Sequence, residues 1–167
     1  MRADGSSSRR RLHVHVVDGV GHRVPARGLA QWLERLAPRA AAGTVTVAIV
    51  SDQASRSLNR SYRGIDHATD VLSFPSGPPP RQGSGLLPQG SGPHLGDVVI
   101  ARGVARRQAR SAGHAETTEW RVLALHGLLH LMGYDHEQDA GRMQRVERRL
   151  RQAGGLGTGL IEREVRR

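Results

Sequence analysis

The segment His126-Gly127-Leu128-Leu129-His130-Leu131-Met132-Gly133-Tyr134-Asp135-His136 limits what this chain can become more than any other. Its three histidines stand at i, i+4 and i+10. Residues four apart on a helix lie one above the other on one face, so His126 and His130 aim their imidazoles at a common point. Gly133 follows within a turn, where helices commonly end in a left-handed residue that glycine adopts cheaply. The chain can then bend and return His136 to the same point. Three neutral imidazoles around an open fourth position describe a catalytic zinc site rather than a closed structural one, with one ion per chain. The alternative is a buried helix that merely happens to be rich in histidine, and the spacing with glycine at the turn argues against it.

The spacing is that of the zinc-peptidase pattern H-E-x-x-H-x-x-G-x-x-H, with one departure. Gly127 stands where such a peptidase carries its general-base glutamate. Glycine moves no proton, so the metal cage is kept and the peptidase base is lost.

Composition narrows the setting. At 167 residues the length suits one domain, and a hydrophobic share of 37% with 21 glycines implies a modest core with flexible segments around it. The absence of cysteine excludes disulfides, disulfide-linked partners and thiolate metal sites, leaving His, Asp and Glu as ligands. No run fits a signal peptide and no apolar stretch is long enough to span a bilayer, so a cytoplasmic location without membrane contact is expected. The formal net charge is +10, and because no lysine occurs, every cation among the 25 Lys+Arg is arginine. The planar guanidinium fork pairs bidentately with phosphate, and such a basic balance favours a polyanionic partner, most simply a nucleic acid. Codon bias toward arginine together with basic ends would explain the missing lysine but not the net charge. With two Trp, two Tyr and one Phe, base stacking on an aromatic platform is not expected to dominate.

Along the chain, residues 1–10 are polar and basic and are expected to form a disordered tail. Leu12–Val17 alternates as a strand, placing His13 and His15 on one face. A half-exposed strand face explains them more simply than a second metal site. Pro25 suits the first turn of a helix carrying Leu29, Trp32, Leu33 and Leu36, which Pro38 stops. Thr44–Val50 is β-branched and reads as a strand, after which Ser51 or Asp52 caps a short helix through Ala54, Leu58 and Tyr62. Val71–Phe74 is a short strand. Ser76–Pro93 is a Gly/Pro/Ser-rich insertion loop within a single domain spanning residues 11–153. His94–Ile100 is a further strand. Ala101–Ala112 suits an exposed helix whose arginines, Arg102, Arg106, Arg107 and Arg110, either face solvent or track phosphates. Glu116 and Glu119 sit where a helix N-terminus favours anions. From Trp120 to Met132 the pattern is apolar nearly all round, so the metal-bearing helix is buried and central. Asp139 can cap a last amphipathic helix with Met143, Val146 and Leu150 inward, ended by Gly154-Gly155. Residues 154–167 are expected to be a flexible tail, although Leu160 and Ile161 could dock.

These residues resemble the YbeY family of bacterial rRNA-maturation endoribonucleases. The resemblance lies in His126–His136, in the block Leu58-Asn59-x-x-Tyr62-Arg63-Gly64 leading into Thr69–Pro75, and more weakly in Leu95–Ile100. Order and spacing agree from about Leu12 to about Ala153. The resemblance implies an α/β fold, a small mixed sheet packed with helices and related to zincin-like folds. It implies zinc on His126, His130 and His136, cleavage of single-stranded RNA, maturation of the 3′ end of small-subunit (16S) rRNA, and ribosome quality control. Single-stranded RNA, rRNA and the ribosome or its small subunit are the implied partners. The family's cleft arginine maps onto Arg63. Departures are the long 76–93 segment, the pair His67-Ala68, and the basic ends.

Zinc would acidify a water and polarise a phosphoryl oxygen. Arg63 is then the candidate to stabilise charge on the phosphoryl oxygens, against a plain surface salt bridge to Asp66 or Asp70. Asp135 and Glu137 flank the third histidine, and Asp135 is the candidate to orient it. No general base is evident, and attack by the RNA 2′-hydroxyl is an alternative to attack by water. A metal-dependent endoribonuclease competes with a non-catalytic, rRNA-binding assembly factor that uses zinc structurally. A zinc peptidase is disfavoured by Gly127.

Overall fold

Strict alternation builds the first strand. Leu12, Val14 and Val16 are buried while His13 and His15 are exposed, as a strand packed on one face requires. The computed structural model describes residues 11–26, 28–77, 93–136 and 138–157. Along them run β1 (Leu12–Asp18), α1 (Leu29–Leu36), β2 (Gly43–Val50), α2 (Asp52–Arg63), β3 (Val71–Pro75), β4 (His94–Ala101), α3 (Arg102–Ala112), α4 (Glu116–Leu131) and α5 (Arg142–Ala153). The fold is the expected mixed α/β class. Its four-stranded sheet has the order β1-β2-β4-β3, with β1, β2 and β4 parallel and the edge strand β3 antiparallel to β4. The residues 1–10, 78–92 and 158–167 lie outside the described residues, and with them the expected basic tail, most of the insertion loop, and Leu160 and Ile161.

The main core fills one face of the sheet. Val45, Val47, Val98 and Ile100 meet Leu29 and Leu33 of α1 and Leu125 and Leu128 of α4. Burying an aliphatic side chain of this size contributes about 1.5–3 kcal/mol. A smaller cluster on the other face joins Val50, Leu72 and Val99 to Ala54 and Leu58 of α2. Among the described residues no helix is long and apolar enough to cross a membrane.

Helix ends follow local chemistry. The Ala54 N–H donates to Ser51 Oγ (3.1 Å), and Gly64 at φ 72° closes α2 in the left-handed region. Two expectations need correction. Pro25 is not in the first turn of α1, which begins at Leu29 behind Gly28 at φ 78°; Pro25 lies in the turn between β1 and that helix. On α5, Met143 is buried and half-buried Leu150 packs against the main core as expected, but the other buried positions are Glu147 and Arg151, and Val146 is only half-buried. The charged groups of Glu147 and Arg151 can be buried because they neutralise each other. Asp139 does hold the start of that helix, accepting from the Met143 N–H at 2.8 Å, although Gly141 is the residue at its N-cap position. Packing continues past Ala153: Trp32 Nε1 donates to the Gly154 carbonyl (2.9 Å), and Leu156 is buried.

Helix α4 carries a continuous apolar surface. Trp120, Val122 to Leu125 and Gly127 to Leu129 are all buried, and the helix packs on α1, α3, α5, β3 and β4. Gly127 governs how closely it lies on the sheet. A Cβ there would stand 2.5 Å from Val98 Cγ1 and 3.1 Å from Ser73 Oγ, and Ser73 Oγ donates to the Gly127 carbonyl at 3.2 Å. Position 127 therefore faces β3 and β4, and a glutamate placed there would have to displace the helix before it reached the histidines. Gly127→Ala should destabilise the metal-free protein by about 1–3 kcal/mol through overpacking, and Gly127→Glu by more, without gain of peptide hydrolysis. Urea denaturation of both variants, with a casein assay of the second, checks this.

Candidate metal centre

The last turns of α4 place His126 and His130 on one face. The turn that follows is closed by Gly133 N–H to the His130 carbonyl (2.9 Å) and Tyr134 N–H to the Leu129 carbonyl (3.1 Å), with Gly133 at φ 85°. The reversal returns His136 to the helix. His126 Nε2 lies 3.1 Å from His130 Nε2 and 3.2 Å from His136 Nε2. One ligating nitrogen from each ring falls within 4.8 Å of the other two, and no other group of three such residues assembles among the described residues. Nitrogens about 2.0–2.1 Å from one tetrahedral ion stand about 3.3–3.4 Å apart, so the spacing around His126 fits a divalent cation. Lone pairs facing one another at this distance repel unless a proton or a cation lies between them. The donor set is therefore one that a metal ion would complete.

The surroundings favour the neutral forms of His130 and His136. Burial, then the neighbouring imidazoles of His126 and His136, holds the His130 pKa below its ordinary 6.5, against a hydrogen bond to the Tyr134 backbone that raises it. Burial and then His126 lower that of His136 in the same way. Asp135 stands close enough for its charge to act on both rings, in the opposite direction, and its carbonyl accepts from the N–H groups of Gln138 and Asp139. Glu137 lies outside the described residues.

One residue of the site escaped the sequence. Glu147 Oε1 lies 3.4 Å from His126 Nδ1, and Arg151 Nη2 donates to the same oxygen. Burial pushes the Glu147 carboxyl up, but His126 and Arg151 together hold it below the ordinary glutamate range. The available signal was the Met143, Glu147, Arg151 row at i, i+4 and i+8, a charged pair of opposite sign on the row of an inward methionine.

Arg63 is the last residue of α2 and is exposed, with no hydrogen bond or ion pair among the described residues. It does not join the three histidines in any such contact. Its plainer role is also unfilled, because Asp66 pairs with Arg56 (2.8 Å) and Asp70 accepts from the Val71 N–H and from Gln108. The rest of its block is structural. Ser55 Oγ donates to the Thr69 carbonyl (2.8 Å) and buried Asn59 donates to the His67 carbonyl (2.9 Å), so two α2 side chains pin the 64–70 turn ahead of β3. On α3, Arg102 pairs with Glu116 and Arg107 with Asp52, whereas exposed Arg106 and Arg110 make no ion pair among the described residues.

The sequence model of the family described as endoribonuclease YbeY matches residues 24–154. The chain belongs to this family. A relative from Solibacter usitatus, named endoribonuclease YbeY, is 46% identical over 146 residues, covering 84% of this chain and 90% of the relative. Another of that name, from Halorhodospira halophila, is 41% identical over 141 residues, covering 83% and 88%. The solution structure of TM1509 from Thermotoga maritima aligns over 92% of this chain and 99% of its own at a TM-score of 0.52 and 21% identity, a likeness of fold. The family match spans α1 to the end of α5 and so includes all three histidines, Arg63 and Glu147.

The depressed pKa values set a pH dependence. The unfolded chain takes up protons at these two histidines near 6.5, while the folded chain does so only at lower pH. Their contribution to stability is thus complete above 6.5 and is lost as pH falls through the folded values. In the metal-free protein, His130 and His136 should titrate below 6.5 by imidazole NMR, with melting temperature declining over the same interval. Titration at or above 6.5 would contradict the site described.

Proposed function

We propose that this chain is a single-strand-specific, zinc-dependent endoribonuclease of the cytoplasm. In this reading it matures the 3′ end of small-subunit (16S) rRNA, takes part in ribosome quality control, and meets its substrate on the ribosome or the small subunit. The observation that carries it is the convergence of His126, His130 and His136 on one point in a chain of this family. The relatives' name supplies the reaction class, and the arginine-only basic surplus suits a polyphosphate substrate.

His126, His130 and His136 would hold the ion. When bound, zinc supplies Lewis acidity toward water and a phosphoryl oxygen at neutral pH. The remaining work falls to the chain. Burial and the neighbouring imidazoles disfavour the charged forms of His130 and His136. Asp135 biases the orientation of the ring that follows it. Arg63, with its guanidinium uncommitted to Asp66 or Asp70, offers a fork of donors to the non-bridging oxygens of a phosphodiester as they gain charge. Exposed Arg106 and Arg110 add positive field for the strand without fixing its register.

Two measurements test this reading. Zinc-loaded wild type should cleave a defined single-stranded RNA, and cleavage should vanish with chelator and in His130→Ala, which should also lose its zinc by elemental analysis. Undiminished cleavage by zinc-free His130→Ala would mean a contaminating nuclease or a different site. Arg63→Ala should keep zinc and fold but lose single-turnover cleavage by about two to three orders of magnitude. Arg63→Lys should recover only part of that loss. Near wild-type cleavage by Arg63→Ala would remove Arg63 from the mechanism.

A further inference from the structure

We propose that Glu147, itself held by Arg151, is a positioning residue that fixes His126 in a single tautomer and ring orientation, with Nε2 facing the point shared by the three histidines. This role presupposes the metal site proposed above and assigns a part of it to α5, a helix that carries none of the ligands.

The atoms leave one assignment. An ionised carboxylate only accepts hydrogen bonds, so the His126 nitrogen beside Glu147 Oε1 must carry the proton. That nitrogen is Nδ1, at 3.4 Å. The lone pair is then on Nε2, the atom that lies 3.1 and 3.2 Å from the Nε2 atoms of His130 and His136. At 3.4 Å the contact is longer than the common 2.7–3.2 Å range, and the full charge on the carboxylate strengthens the preference for that tautomer.

Position explains why a side chain is needed. His130 sits at the end of α4 and has a hydrogen bond to the Tyr134 backbone, supplied by the turn itself. His126 lies a full turn earlier, where the helix commits the neighbouring carbonyls to its own ladder. An orienting acceptor for it must come from another element, and α5 supplies Glu147.

Energetics point the same way. Glu147 and Arg151 are 8% and 9% exposed, and a buried ion pair commonly stabilises less than apolar residues of the same volume. Met143, one turn before Glu147 on the same row, is fully buried and shows that the interface accepts an apolar side chain. A charged pair kept beside it, with its carboxylate turned to a histidine of the triad, serves that histidine better than it serves stability.

The test uses the full chain as wild type, Glu147→Gln, and Glu147→Gln/Arg151→Gln, the double variant avoiding a stranded buried guanidinium. Zinc affinity is measured by competition with a chromophoric chelator, and metal-free melting verifies the fold. Both variants should bind zinc roughly 10–100-fold more weakly than wild type. Independently of any variant, 15N NMR of histidine-labelled, metal-free wild type should show His126 protonated at Nδ1 alone. Variant affinities within about twofold of wild type, or a proton on Nε2 of His126 in wild type, overturn the proposal. A wild type that binds no zinc overturns the metal site and this role together, whereas equal zinc binding by wild type and variants overturns this role alone.

Discussion

Helix α4 can sit where it does because position 127 has no side chain. Val98 and Ser73 occupy the space a Cβ would need, and the Ser73 hydroxyl donates to the carbonyl of Gly127. That contact sets the height of the helix above β3 and β4. His126 immediately precedes it and His130 follows by less than a turn, so the approach of helix to sheet also decides where two imidazoles point. The apolar surface around the rest of α4 then removes the freedom to roll. A site whose nitrogens must agree to a few tenths of an ångström needs a carrier of this stiffness.

What could be read from the sequence, and what could not, divides along sequence distance. The i, i+4 histidines and the glycine of the turn are local geometry, and the structure brings the three rings together as that geometry requires. The strands announced themselves by β-branching and by the buried and exposed alternation of β1. A cap at Ser51 or Asp52 was visible because an N-cap bond spans three residues, and the structure uses Ser51. Glu147 went unread because its partner stands 21 residues away, and the one local sign, its pairing with Arg151 on the row of Met143, does not name the histidine it faces. Hydrophobic periodicity gave Met143, Val146 and Leu150 the interior; Met143 and Leu150 do pack there, but the buried row runs on through Glu147 and Arg151 instead of Val146. Pro25 failed differently: proline tolerates the first turn of a helix but equally the turn before it.

Charge on this molecule is sorted rather than spread. Several arginines are answered by carboxylates at the surface, Arg56 by Asp66, Arg102 by Glu116 and Arg107 by Asp52, and such exposed pairs add little stability each. Arg63, at the end of α2, is not so answered among the described residues. Ser55 and Asn59, on the same helix, spend their hydrogen bonds on the turn that leads into β3. The motif block around Arg63 therefore contains both a fixed frame and an exposed cation mounted on it.

The hydrogen bond from Trp32 to the carbonyl of Gly154 ties residues 122 positions apart. A chain is delivered from its N-terminus, and its early segments wait for late ones. Strand β1 and α1 are synthesised long before Gly154, and so is the helix that carries His126 and His130. The ring of His126 meets its carboxylate only once α5 has been synthesised. Until that moment a growing chain holds three histidines without the group that faces the first of them, and the order of synthesis itself delays completion of the site until nearly all of the described fold is in hand.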